Sequence, residues 1–286
     1  MQLRERLNMA AFDSPIFRPA GRLIFKMARR KQMQAQSTAT VFFRNPAQLS
    51  AFQGPLAPLI QTSCFRVLVA ACSIGCEAYS LAAYLAHVFP HLDFRIDACD
   101  ISKEAIAFAR AGFYGPEHFP GGRTGGPTGE IEKILFLRDG EHWRVRDEIQ
   151  ARITFEIADV LSPRFNAYRG YDCVFGQNFM IHMNDAEAAR AFPALADAVR
   201  PGGALFVGGM DLDTRPSLAA VHGLIPLDWK IAAIHDGDSM RRAAWPWHYW
   251  SLEPIDWSVK PAAPRYSTIF LKPSEDEDVR PNALAA

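Results

Sequence analysis

The sequence predicts an α/β fold, a mostly parallel sheet with helices on both faces. Three observations predict it. From Cys64 onward, short β-branched and aliphatic runs alternate with stretches of helical period. The first such pair, VLVAACSIGCEAYSLAAYLA over residues 67–86, passes from strand to helix through a turn of small residues. Hydrophobic residues make up 49% of the 286 positions, enough to bury one sizeable core.

The elements follow in order. Residues 1–36 are basic, with Arg4, Arg6, Arg18, Arg22, Lys26, Arg29, Arg30 and Lys31, and a helix is expected from Gly21 to Gln36. With the segment up to residue 60 it makes an N-terminal helical cap, expected to close over a ligand while keeping a solvated face. FRVLVAA is a strand and EAYSLAAYLAHVF a helix. DFRIDACD is a strand, and SKEAIAFARAGF a helix opened by Ser102 as N-cap. RITFEIADV and YDCVFGQNFM are strands, and DAEAARAFPALADAV is a helix capped by Asn184 or Asp185. GGALFVGG is a strand after the turn at Arg200–Gly203, and WKIAAIH and YSTIFLK both read as strands. Residues 115–150, which contain PGGRTGGPTG, read as a loop excursion beside the sheet. The main domain spans 61–275 and includes an aromatic insertion at 236–264, with Trp245, Trp247, His248, Tyr249, Trp250 and Trp257, that suits either a lid or a subunit interface. The acidic tail, 276–286, is expected to be disordered.

Composition excludes several classes. Lys+Arg and Asp+Glu are both 31, so no nucleic-acid partner is expected. No apolar run reaches the length of a spanning helix, so no membrane insertion is expected. MQLRERLNMA lacks the apolar core of a secretory signal. Five cysteines at irregular spacing read as reduced core thiols of a cytoplasmic chain, and Cys72-x3-Cys76 is not a zinc spacing, so no metal is expected.

The candidate site lies on the strand ends. Ala71, Ser73 and Gly75 place small residues at alternate positions of the first turn, which permits close backbone approach to a ligand. A diphosphate prefers bare N–H groups, but this turn is followed by Glu77, which favours a cationic ligand. Asp100 ends the second strand, placed for a ribose diol, and Asp159 ends the third, placed to accept from an adenine amine. Adenosine joined to a cationic amino acid is S-adenosylmethionine. A nicotinamide cofactor is the competing reading for a Rossmann-like sheet.

Five ordered motifs sharpen this reading. They are Thr40-Val41-Phe42-Phe43-Arg44, ACSIGCEAYSLA at 71–82, Asp100-Ile101 leading to Ala109–Tyr114, Tyr171–His182, and Pro201–Gly208. Over roughly residues 37–212 the chain resembles the bacterial chemotaxis-receptor glutamate methyltransferases (CheR-type), which displaces the nicotinamide reading. The resemblance implies a seven-stranded, Rossmann-like class I methyltransferase that turns S-adenosylmethionine into S-adenosylhomocysteine. It implies that Arg44 pairs with the methionyl carboxylate, with Thr40 nearby. Glu77 would face the methionyl amine, Asp100 the ribose and Asp159 the adenine, with Ile101 and Val160 in the same contact set. Asn178 would sit beside the sulfonium and the acceptor, with Gln177 and His182 completing the catalytic set. The sequence departs from the family on the acceptor side. Gln177 stands for an Arg, His182 for a Tyr, Cys76 for a Glu, Ala78 for a Pro, and Gly209-Met210-Asp211 for H-S-E. His182 introduces a group that titrates near pH 6.5 and suits a general base, with Asp211 and His248 as weaker candidates. No segment is read as a receptor-tethering subdomain. The expected function is methyl transfer to a small-molecule or peptide acceptor outside chemotaxis, with biosynthesis as one setting. The alternatives are receptor-glutamate esterification, cyclisation or aminocarboxypropyl transfer, and cofactor binding without turnover. A homodimer is left open.

Overall fold

The structure is a computed structural model that describes residues 9–32, 40–119, 129–237, 245–246 and 253–274. Its strands are β1 (Phe65–Ala70), β2 (Phe94–Asp100), β3 (Phe113–Tyr114), β4 (Phe136–Asp139), β5 (His142–Val145), β6 (Ile153–Ile157), β7 (Tyr171–Phe175), β8 (Val199–Phe206), β9 (Ile225–Pro226) and β10 (Ile269–Leu271). Seven of them form one sheet in the order β6-β2-β1-β7-β8-β10-β9. The first five in that order run parallel, while β10 is antiparallel to both β8 and β9. The helices are α1 (Arg18–Gln32), α2 (Pro46–Leu49), α3 (Cys76–Val88), α4 (Lys103–Ala111), α5 (Glu130–Leu135), α6 (Asp147–Gln150), α7 (Asp185–Ala198), α8 (Thr214–Val221), α9 (Ile231–Gly237) and α10 (Ala263–Tyr266).

The central strand shows why both faces are covered. β1 sends Val67 and Val69 into a core with α3, and Leu68 and Ala70 into a second core with α7. A strand buried on both faces reads as continuous aliphatics rather than as an alternation. Local chemistry fixes the helix starts. Ser102 Oγ accepts from Ala105 N at the start of α4, and Gly112, at φ +67°, ends that helix. Asn184 and Glu187 form a reciprocal capping box on α7.

Three expectations are corrected. WKIAAIH is not a strand: Ile231–Gly237 is helix α9, whose Ile231, Ile234 and His235 are buried. That i, i+3, i+4 spacing is a helical stripe hidden in a short apolar run. Residues 115–150 are not only a loop, because β4 and β5 within them join β3 in a three-stranded antiparallel sheet, and α5 and α6 lie there too. An aromatic cluster ties that sheet to the body, with Phe42 4.7 Å from Tyr114, 4.9 Å from Phe136 and 5.4 Å from Phe119 between ring centres. The basic helix α1 does not close over a ligand; it docks on the C-terminal part of the chain. Arg22 donates to Glu253 at 2.7 and 2.8 Å, Lys26 pairs with Asp213 at 2.9 Å, and Arg18 donates to Pro254 O at 3.1 Å. Glu253 is buried and also accepts from Arg265. Of the aromatic insertion, Trp245 is buried against α1 and Trp257 is exposed. Trp247, His248, Tyr249 and Trp250 lie outside the described residues, as does the 276–286 tail.

Candidate active site

A cleft of about 790 Å³ opens at the C-terminal ends of the parallel strands, where β1 has β2 on one side and β7 on the other. This is the switch point at which open α/β sheets place their ligands. Its lining follows the spatial order of the strands. Asp159 and Val160 lie past β6, Asp100 ends β2, and Ala71 to Ser73 follow β1. Gln177 and Asn178 follow β7, Gly208 and Gly209 follow β8, and Thr268 precedes β10.

At the first turn Ala71 (φ +53°), Ser73 (φ +51°) and Gly75 (φ +87°) are all left-handed. For the two non-glycines this costs about 1–2 kcal/mol each. The Asp100 carboxylate offsets that cost by accepting from Ser73 N at 2.8 Å and from Ser102 N at 2.9 Å. Gly75 does not line the cleft. A Cβ there would lie 3.0 Å from Ala109 Cβ and 3.1 Å from Phe155 Cζ, so packing beneath the turn requires the glycine. Glu77 lies in the first turn of α3, half-buried on the cleft wall. Burial pushes its carboxyl up to about 7, against the pull of the Arg44 guanidinium. Arg44 reaches the cleft because Phe42, fully buried, anchors its segment while Phe43 N donates to Ser80 Oγ at 2.9 Å. Thr40 lines the same wall and hydrogen-bonds the Cys76 thiol, which burial holds protonated at neutral pH. Asp159 is exposed and accepts from Leu161 N at 2.8 Å, leaving its outer lone pairs toward the rim. Ile101 is exposed at the mouth and Val160 is buried.

On the far side, Asn178 is left-handed (φ +56°) and donates its N–H to Gly208 O at 2.9 Å. Gly209, at φ +62°, passes so close that a Cβ would lie 2.6 Å from Asn178 Cα. Gln177 Nε2 donates to Gln48 Oε1 at 2.7 Å, and Gln48 Nε2 donates to Thr268 Oγ1 at 2.8 Å. His182 lines the wall half-buried, in the turn Met180–His182. Asp211 does not line the cleft. Its Oδ1 accepts from Asp213 N, Thr214 N and Thr214 Oγ1 at the start of α8. Gln48, Arg215, His235, Tyr266 and Thr268 also line this side and were not expected. They come from segments between and after the recognisable motifs, and only the fold brings them together.

The residues fit S-adenosylmethionine. A half-buried carboxyl resisting ionisation suits a cationic amine, the guanidinium beside it suits a carboxylate, and small turn residues leave room for a nucleoside. A family model described as CheR methyltransferase, SAM binding domain, matches residues 38–215. A probable biofilm formation methyltransferase WspC of Pseudomonas putida is 32% identical over 217 residues, covering 72% of this chain and 49% of that protein. A chemotaxis protein methyltransferase of Listeria innocua is 28% identical over 193 residues, covering 66% of this chain and 70% of that one. A solved TehB-like SAM-dependent methyltransferase of Corynebacterium glutamicum is 12% identical, covering 79% of this chain and 91% of that one, with a TM-score of 0.40. The chain spans about half the length of the WspC relatives it matches. It belongs to the CheR methyltransferase family, a group of S-adenosylmethionine-dependent methyltransferases, and carries the family's cofactor-binding domain over residues 38–215.

Proposed function

We propose that this chain transfers a methyl group to a small-molecule or peptide acceptor that enters the cleft from the β8 and β10 side. The observation that carries the reading is convergence: of the cofactor and catalytic sets expected from the sequence, all but Gly75 line one cleft, while the weaker base candidate Asp211 lies off it and His248 lies outside the described residues. Thr40, Arg44 and Glu77 would hold the amino-acid end of the cofactor. Ala71, Ser73, Asp100 and Ile101 would hold the ribose, and Asp159 and Val160 the adenine. When bound, S-adenosylmethionine supplies an electrophilic methyl on a cationic sulfur. Asn178, held in place by Gly208 and Gly209, would set the approach line of the acceptor atom, which must be aligned at about 3–3.5 Å. A carboxylate acceptor needs only aiming and removal of water. A hydroxyl or amine acceptor needs a base, and His182 is the group on that wall suited to take the proton. Gln177 is held by Gln48, and its Oε1 lies against Gly208.

A protein side-chain carboxylate is the second reading, favoured by the relative named as a chemotaxis protein methyltransferase. Among the described residues no helix is long and apolar enough to cross a membrane. The test has two parts. Calorimetry should show S-adenosylhomocysteine binding to the wild-type chain and weakening about tenfold or more in Asp100→Ala, as for lost charge-assisted hydrogen bonds. Incubation with S-adenosylmethionine alone should leave it intact. Accumulation of methylthioadenosine would overturn methyl transfer in favour of attack on the cofactor's carbon chain, and absence of binding would overturn the site.

A further inference from the structure

We propose that Ser80 is a positioning residue for the cofactor's amino-acid end: its buried hydroxyl locks the segment that carries Arg44 onto the helix that carries Glu77. The inference rests on the assignment of Arg44 and Glu77 to the carboxylate and the amine of S-adenosylmethionine. A zwitterion needs those two partners at a fixed separation, and here they come from different segments. Glu77 belongs to α3, and Arg44 to the irregular stretch ahead of α2.

Ser80 stands one helical turn beyond Glu77, on the same side of α3, and both line the cleft. Its neighbours on the helix, from Ala78 to Leu85, are Ala, Tyr and Leu, all buried. A hydroxyl in such a place is costly unless it is hydrogen-bonded. At 5% exposure, Ser80 Oγ is used twice: it donates to Cys76 O at 2.6 Å and accepts from Phe43 N at 2.9 Å. The bond back to the preceding turn fixes the hydroxyl's rotation and leaves a lone pair for Phe43. The N–H that takes it belongs to a strained residue. Phe43 is left-handed, at φ +50°, a conformation that bulky side chains rarely adopt. There the chain reverses, so that fully buried Phe42 enters the core while Arg44 turns to the cleft. Other ties of this segment lead away from α3 or are weak. Phe42 N donates to His118 O at 3.2 Å, and Asn45 Nδ2 donates to Ile234 O at 2.8 Å. Thr40 reaches α3 only through the thiol of Cys76, a weak hydrogen-bonding partner. Without the Ser80 oxygen, Phe43 relaxes toward an ordinary φ and the guanidinium shifts relative to Glu77, so that binding the cofactor must restore both.

The experiment compares S-adenosylhomocysteine with methylthioadenosine, which keeps the nucleoside and the sulfur but lacks the amino acid. Affinities are measured on the full chain by calorimetry, directly or by displacement, for wild type, Ser80→Ala, Arg44→Gln and the double variant. Ser80→Ala should bind S-adenosylhomocysteine about tenfold more weakly, the scale of one buried hydrogen bond, while methylthioadenosine affinity stays within about twofold. Arg44→Gln should also weaken S-adenosylhomocysteine, and adding Ser80→Ala to it should change the affinity by less than about twofold, because a residue that acts through Arg44 then has nothing to position. The proposal is overturned if Ser80→Ala leaves S-adenosylhomocysteine affinity unchanged. It is also overturned if Ser80→Ala weakens both ligands alike, as a packing defect would, or if its full effect persists in the Arg44→Gln chain. Should Ser80→Ala not fold, Ser80→Cys, similar in size but a poor acceptor, decides by the same comparison of the two ligands. Failure of wild type to bind S-adenosylhomocysteine at all would instead refute the underlying site.

Discussion

Glu77 makes cofactor affinity depend on pH in a way that can be worked through. In the empty cleft burial raises its carboxyl from 4.5 to about 7. A cationic amine beside it would return it to the ionised form, so binding below pH 7 must expel a proton. With a value near 7, about one carboxyl in eleven is ionised at pH 6 and about ten in eleven at pH 8. S-adenosylhomocysteine should therefore bind about tenfold more tightly at pH 8 than at pH 6. Calorimetry in two buffers of different ionisation enthalpy should show close to one proton released at pH 6 and close to none at pH 8. Glu77→Gln should abolish both effects while leaving any contribution from His182 in place. The sign for stability is opposite. The folded empty chain holds more protons than the unfolded chain between pH 4.5 and about 7, so its stability falls as pH rises through that window. At 1.36 kcal/mol per pH unit the loss is at most about 3 kcal/mol, and Glu77→Gln removes it. A wild-type affinity that is flat from pH 6 to 8, or a Glu77→Gln slope equal to wild type, would refute the reasoning.

Other predictions concern the turns and the docked helix. Gly209→Ala forces a Cβ to 2.6 Å from Asn178 Cα at a left-handed φ. It should cost about 2 kcal/mol or more and lower Tm by about 4–8 °C, and turnover should fall more than cofactor affinity. An unchanged Tm would show that the Asn178 loop is slack. Gly75→Ala, strained and crowded against Ala109 and Phe155, should cost about 1–3 kcal/mol by thermal unfolding, and a neutral result would remove the packing argument for this glycine. Glu253→Gln leaves Arg22 and Arg265 facing an amide. Trypsin should then cut at Arg22 or Lys26 much faster while cofactor affinity holds, and unchanged cleavage rates would argue that other contacts dock α1. Asp213 is held at about 2: burial opposes ionisation, but Lys26 and Arg265 outweigh it. Its contribution to docking is present above pH 3.8 and is lost as pH falls through about 2, measurable as acid-induced cleavage.

The parallel sheet was legible because its central strands β1 and β7 are buried on both faces and two of its helices carry their own caps, at Ser102 and Asn184. The cofactor half was legible because its side chains sit within a few residues of strand ends, where sequence position and spatial position coincide. The small sheet was hidden because Phe113–Tyr114, Phe136–Asp139 and His142–Val145 are too short for period two to show. Helix α9 was hidden because its seven residues, IAAIHDG, are too few for the apolar run to favour one period over the other. Gly75 sits in the right turn but faces the packing beneath it, and a motif does not tell which side of a turn faces a ligand. Arg215, Tyr266 and Thr268 could not be read at all. Nothing local distinguishes them, and their meeting depends on β10 running back antiparallel beside β8.

The docking of α1 also sets an order on synthesis. Arg22 and Glu253 are 231 positions apart in sequence, and helix α1 shows Leu23 and Met27 as largely exposed apolar side chains even after docking. A growing chain makes Arg22 of this helix 231 positions before Glu253, its buried carboxylate partner. Until Asp213, Trp245 and Glu253 have all left the ribosome, the helix lacks its full set of partners, and it presents a basic, apolar surface to whatever is nearby. The sheet can assemble from near-neighbour segments in the meantime, so closing α1 onto the finished body is a late, long-range step in the birth of this protein.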